Sequence, residues 1–288
     1  MDYIKKYQKM ITLRNLSEHT KKSYLTYIKT YLEYLEIIHK YPSQATFKDL
    51  QNYIIWLKET RHLADRTINA AISQLRFFTI FVLGKPWDSS AVPMRRFDTY
   101  MPYVPTQAEV QEFISTLSDL RIKTMVAVMY SSGLRIGEVC NLRYEDIERK
   151  NMRIHITHGK NRSDRYVMMS KQALDLLTRY WFAYGKPMGY LFPQKRNPGK
   201  PVDTFYLSRH IHNHEDRLGW PHRLTCHSFR HAYGTHLYEN GTDLVTIKAL
   251  MGHKSLNSTL IYVHLSIGGN VSATSPFDLM EGITHDKN

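Results

Sequence analysis

Cysteine is scarce in this chain: Cys140 and Cys226 are the only two among 288 residues. Their separation matches no zinc-binding spacing, and both lie in apolar or helical contexts, so they read as buried free thiols rather than a disulfide. That fits a reducing, cytoplasmic compartment. Long apolar runs are missing too. None approaches the roughly 20 residues of a membrane span, and the opening "MDYIKKYQKMITLRN" holds no apolar core long enough for a signal peptide. A soluble protein with no membrane partner is expected. The sequence also lacks the G-x-x-x-x-G-K-[ST] loop that cradles nucleotide phosphates. It has no acidic cluster suited to two catalytic Mg²⁺ ions. No cofactor and no metal are therefore expected.

Acidic residues are outnumbered: 26 Asp and Glu stand against 39 Lys and Arg, leaving a formal charge of +13 and an isoelectric point near 9.5. The excess is spread along the chain. Residues 1–105 carry 16 basic and 9 acidic side chains, and the remainder 23 and 17. Two positive halves suit a clamp around a polyanion, with nucleic acid the foremost partner.

A length of 288 residues suits two domains, each large enough to bury a core. Ser17 can cap a long amphipathic helix in which Tyr24, Ile28, Tyr31, Leu35 and Ile38 recur at steps of four and three. Phe47, Leu50, Ile54 and Leu57 repeat the pattern after Thr46, and Ile68, Ile72 and Leu75 open a third helix. Four prolines between Pro86 and Pro105 then forbid a continuous helix, as a linker would. Thr106 caps the next helix, a buried one ends at Gly133, and "MRIHITHGKNRSDRYVMMS" alternates as two strands about a polar turn. The fold class expected is mainly α with a small β-sheet or hairpin, divided into residues 1–90, a linker over 91–105, a second domain over 106–265 and a tail over 266–288.

The chemistry concentrates in "HSFRHAYGTHLYENGTDLVTIKALMGHKSLNSTLIYVHL". Thr225 or Cys226 starts a helix stopped by Asn240-Gly241, Thr242 begins a second closed by Gly252, and Ser255 caps a third. Three successive helices thus present His227 and Arg230, then His253, then Tyr262. The imidazoles of His212, His214, His227, His231 and His236 raise a metal reading, but the H-E-x-x-H pattern is absent. Tyr233 and Tyr238 read as core or surface residues.

The ordered segments "GLRIGEV", "HSFRH", "MGHKS" and "STLIYVH" resemble the signature boxes of the tyrosine recombinase, or phage integrase, family. The likeness covers the second domain and extends to the helical domain and proline linker, which look like the family's core DNA-binding domain. It implies a set of roles. Arg135 and Arg230 would be the two catalytic arginines gripping the scissile phosphate, because a planar guanidinium donates paired hydrogen bonds and stays charged as negative charge builds. Glu138, one turn from Arg135, either orients that arginine or is a plain i,i+3 partner. Lys160 matches the hairpin lysine that would protonate the departing 5′ oxygen. Asn161 stands where a glycine is common, and Arg162 and Arg165 are alternative cations. His227 would hydrogen-bond the phosphate or accept the nucleophile's proton, and His253 would be the third-box histidine or a helix cap. Tyr262 would be the nucleophile, with cationic neighbours needed against a reference pKa of about 10.

The resemblance further implies a two-domain DNA clamp that cleaves and rejoins strands through a 3′-phosphotyrosine, in integration, excision or dimer resolution. The partners implied are double-stranded DNA with a specific recombination site and self-association into a tetramer on it. A compact N-terminal region without an additional arm-binding domain points to a simple, short site. Two alternatives stand beside this: type IB topoisomerase-like relaxation, and a DNA-binding regulator without chemistry. In the tail, Phe277 and Met280 would share the apolar face of a short helix that either packs on its own domain or is exchanged between protomers.

Overall fold

Side-chain caps set where most of the helices begin. In the computed structural model, which describes residues 2–98, 101–157 and 164–266, the chain divides into two compact units at the boundary between residues 100 and 101. The first unit holds four helices, α1 (Tyr3–Thr12), α2 (Glu18–Ile37), α3 (Phe47–Glu59) and α4 (Asp65–Phe81). Asp2, Ser17 and Thr46 each accept a hydrogen bond from a first-turn amide, and Asp49 closes a capping box on Thr46. The expected starts at Ser17 and Thr46 hold. Helix α1 was not anticipated, although Tyr3, Tyr7 and Ile11 stand at four-residue steps and the last two are buried.

The core of this unit is aromatic and aliphatic: Tyr31 meets Tyr53 and Phe78 edge to face, and Tyr7 lies tilted against Phe78, amid Ile28, Leu35, Ile68 and Leu75. Such pairs add about 0.5–1.5 kcal/mol each beyond their area burial. The proline-rich stretch is not a free tether over its first half. Val92 is buried in the same core, Gln51 donates to the Ala91 carbonyl at 2.8 Å, and Asn69 exchanges two hydrogen bonds with the Arg95 backbone at 2.8 and 2.9 Å.

The second unit orders α5 (Gln107–Thr116), α6 (Leu120–Ser132), α7 (Ile136–Cys140), strands β1 (Ile147–Glu148), β2 (Arg153–Ile156) and β3 (Arg165–Met168), then α8 (Lys171–Ala183), α9 (Thr204–Leu218), α10 (Cys226–Glu239), α11 (Leu244–Met251) and α12 (Asn257–Leu265). The antiparallel sheet runs β1-β2-β3, with Ile154 opposite Val167 and Ile156 opposite Arg165. Two strands were expected, and β1, two residues long, is the addition. Alternation along β3 places Val167 on the core side and, two residues earlier, Arg165 on that same side. This register aims an arginine inward. Near the C-terminus, Asp243 rather than Thr242 caps α11, and Ser255 accepts from the Asn257 amide at 3.2 Å just ahead of α12.

Cys140 and Cys226 are both buried and free, and burial raises both thiols, Cys140 to about 12 and Cys226 to about 11. Among the described residues no helix is long and apolar enough to cross a membrane. The tail from residue 267, with the expected helix around Phe277 and its exchange, lies outside the described residues, as does Lys160.

Candidate active site

Helix α6 ends at Gly133, whose φ of +62° a side chain would resist, and the chain then turns through buried Leu134 to Arg135 at the N-cap of α7. A Cβ on Gly133 would also lie 2.4 Å from the Tyr233 ring, so close packing demands glycine there as well. Glu138 reaches back one turn. It accepts from the Arg135 amide and from the Arg135 guanidinium, both at 2.8 Å. Burial opposes the charge on Glu138, but the Arg165 hydrogen bonds and nearby positive charge prevail and hold its carboxyl at about 2. The carboxylate is ionised at neutral pH.

Arg230 lies on α10, a helix begun by Thr225 through a hydrogen bond to the Ser228 amide. It is 5% exposed and donates to the carbonyls of Gly133 and Met251. Those are the C-terminal ends of α6 and α11, where unsatisfied carbonyls carry partial negative charge. Two helix ends thus hold a cation that burial and Arg135 would otherwise disfavour. The guanidinium pKa is correspondingly lowered to about 10, which still leaves it charged.

Three consecutive carbonyls at the end of α11 each take one arginine. Leu250 accepts from Arg165 at 3.1 Å, Met251 from Arg230, and Gly252 from Arg135 at 3.4 Å. Gly252 closes the helix with φ +61°, and His253 follows, its Nδ1 3.0 Å from the Thr259 hydroxyl. Burial, then the charges of Arg230 and Arg135, lower His253 to about 4, so its imidazole is neutral.

Tyr262 of α12 is 1% exposed, and its ring lies over Gly234, one turn along α10 from Arg230. A Cβ on Gly234 would stand 2.5 Å from Tyr262 Cζ. The His253 ring lies 6.2 Å from the Tyr262 ring and nearly parallel to it, and His231 is 6.1 Å away. Burial pushes the phenol up to about 12, with Arg230 and Arg135 pulling the other way. His227 stands exposed at the start of α10, its ring 6.3 Å from that of His231.

The fold therefore brings Arg135, Glu138, Arg230, His253 and Tyr262 into one neighbourhood, with His227 at its solvent edge. Sequence reasoning underrated two contributors. Gly234 carried a faint signal, since a glycine inside a helix pattern costs stability and often marks close packing. Arg165 was considered only as a spare cation, although strand alternation already placed it on the buried face.

Residues 104–267 match the Phage integrase family, and residues 3–89 the Phage integrase N-terminal SAM-like domain. The integrase/recombinase y4qK of Sinorhizobium fredii is 32% identical over 271 residues, covering 93% of this chain and 86% of that one. The tyrosine recombinase XerA of Pyrococcus horikoshii is 27% identical, over 92% of this chain and 90% of its own. Among solved structures, the Tn1549 transposon integrase in complex with circular intermediate DNA shares the fold, with a TM-score of 0.71 at 18% identity and coverage of 97% and 98% of the two chains. A match across the greater part of the sequence and a relative aligned over most of its length lead to one conclusion: the chain belongs to the phage integrase family and is a tyrosine recombinase, an enzyme of site-specific DNA recombination.

Proposed function

We propose that Tyr262 is the nucleophile of strand cleavage on duplex DNA. Its phenolic oxygen bonds to phosphorus as the bond from phosphorus to the 5′ oxygen breaks, leaving a 3′-phosphotyrosine and a 5′ hydroxyl. The phenol's proton passes to a base at the site, His227 or the neutral His253, and the departing 5′ oxygen takes its proton from Lys160. Attack by the 5′ hydroxyl of another strand reverses these steps and releases Tyr262. Arg135 and Arg230 bind the non-bridging oxygens, where one arginine is worth about 10³ to 10⁵ in rate in phosphoryl transfer.

The observation that carries this reading is the seat of Tyr262. Its ring is buried over Gly234, within the fields of Arg230 and Arg135, both of which oppose the rise in its pKa. A tyrosine that merely filled core volume would not need a buried arginine, Arg230, and a half-buried one, Arg135, beside it. A phosphate bound between those arginines would meet the phenol in a site walled from water, where electrostatic stabilisation counts most.

Both units are proposed to grip DNA, with residues 1–90 as the core-binding domain, 91–105 as the linker and 106–265 as the catalytic domain, and four protomers assembling on two sites in the cytoplasm. The net charge of +13 and the DNA bound to the Tn1549 integrase support the partner. The test is covalent trapping on duplexes drawn from the DNA flanking the gene. Wild-type protein should form an adduct at a defined position, and Tyr262→Phe should bind the same duplex and form none. An adduct that persists in Tyr262→Phe rules the assignment out.

A further inference from the structure

We infer that Arg165 is a positioning residue that keeps Arg135 oriented yet available to phosphate, an inference that rests on the proposed chemistry at Tyr262. The Arg165 side chain is 9% exposed and its guanidinium is engaged on three sides. Nη1 and Nη2 donate to the two Glu138 oxygens at 2.9 and 2.8 Å, and Nε donates to the Leu250 carbonyl at 3.1 Å. Its side chain also runs against Gly252, where an added Cβ would meet Arg165 Cδ at 2.8 Å. A guanidinium whose donors are committed in this way is not a spare phosphate ligand.

What it does follows from how Glu138 is shared. A bidentate fork is the strongest grip a carboxylate can receive from an arginine, and Arg165 occupies it. Arg135 is left with one side-chain bond to Glu138 at 2.8 Å and a long contact to the Gly252 carbonyl at 3.4 Å. The Arg135 guanidinium is therefore aimed but not captured. Without Arg165, a buried carboxylate that is 8% exposed would have Arg135 as its remaining cation and would draw that fork onto itself, away from the DNA. Arg165 also ties β3 to the carbonyl turn that holds Arg230 and precedes His253. One side chain thus sets both the charge available to Arg135 and the position of the turn beside Tyr262.

The test uses the full chain and the duplex recovered by trapping wild-type adducts. Arg165→Met should slow single-turnover adduct formation at saturating DNA by about 10²-fold, the scale of a misplaced catalytic group. The dependence of binding on salt should stay at the wild-type slope, because no phosphate contact has been removed. Adding Glu138→Gln to Arg165→Met should restore adduct formation by about tenfold, because the carboxylate that captures Arg135 is gone; additive losses would instead mark independent sites. If Arg165→Met is too unstable to assay, Arg165→Lys is judged by the same two measurements, since lysine keeps the charge but not the fork. A salt slope smaller by about one phosphate, or a double variant no faster than the single, overturns the inference. A wild-type protein that forms no adduct defeats the proposed chemistry instead, so the two failures are distinguishable.

Discussion

The two units bury different things. Among the described residues, the helical unit closes over Tyr7, Tyr31, Tyr53, Phe78 and their aliphatic neighbours, and Asp49, paired with Lys40 at 2.7 Å, is its one buried charge. The second unit buries Arg121, Asp146, Glu215 and Arg230, and surrounds the last with Arg135, Arg165 and Glu138. Buried charge is costly unless it is paired and hydrogen-bonded. The first unit therefore spends its interior on stability. The second gives up part of that stability to hold cations at helix ends, where the proposed chemistry would have a phosphate meet them.

This contrast is open to a direct challenge, beginning with its most costly residue. Arg230→Ala should reduce single-turnover cleavage by about 10³ to 10⁵ while leaving duplex binding within a few-fold, measured by adduct formation and by titration. Binding and cleavage falling together would mean that Arg230 serves affinity rather than chemistry. Phe78→Ala in the helical unit should act in the opposite sense. It should cost about 3–5 kcal/mol of stability in denaturant titration, with cleavage by the folded fraction unchanged at saturating DNA.

Gly234→Ala sharpens the comparison inside the second unit. A methyl placed 2.5 Å from Tyr262 Cζ cannot be seated without moving the ring, so adduct formation should fall by about 10²-fold at a stability cost of about 1–3 kcal/mol. Gly189→Ala, which meets nothing within 4 Å, is the matched control and should behave as wild type in both assays.

The most gradual effect expected is on stability in acid. Burial lowers His231 and His253 to about 4, from an ordinary value of 6.5. Between those values the unfolded chain binds protons that the native state refuses. Stability is therefore full above pH 6.5 and is lost progressively as the pH falls toward 4. The denaturation midpoint of the wild type should fall across that window, and His231→Gln should fall less steeply. Parallel curves would show that the His231 imidazole is not buried in its neutral form.

Local chemistry carried much of this protein in its sequence. The caps at Ser17, Thr46, Thr106 and Thr225, the stops at Gly133 and Gly252 and the alternation of the hairpin depend on neighbours a few residues away, and these elements formed as expected. The spacing of "HSFRH", "MGHKS" and "STLIYVH" was equally legible, because each box lies on or beside one short helix. What no local pattern specified was partnership. Arg135, Arg165 and Arg230 are separated by tens of residues, yet they converge on the consecutive carbonyls of Leu250, Met251 and Gly252. Gly234 is small because a ring from another helix needs its space. Pairings of this kind are set by packing between distant segments and by the need to satisfy each buried charge, and only the tertiary structure decides them.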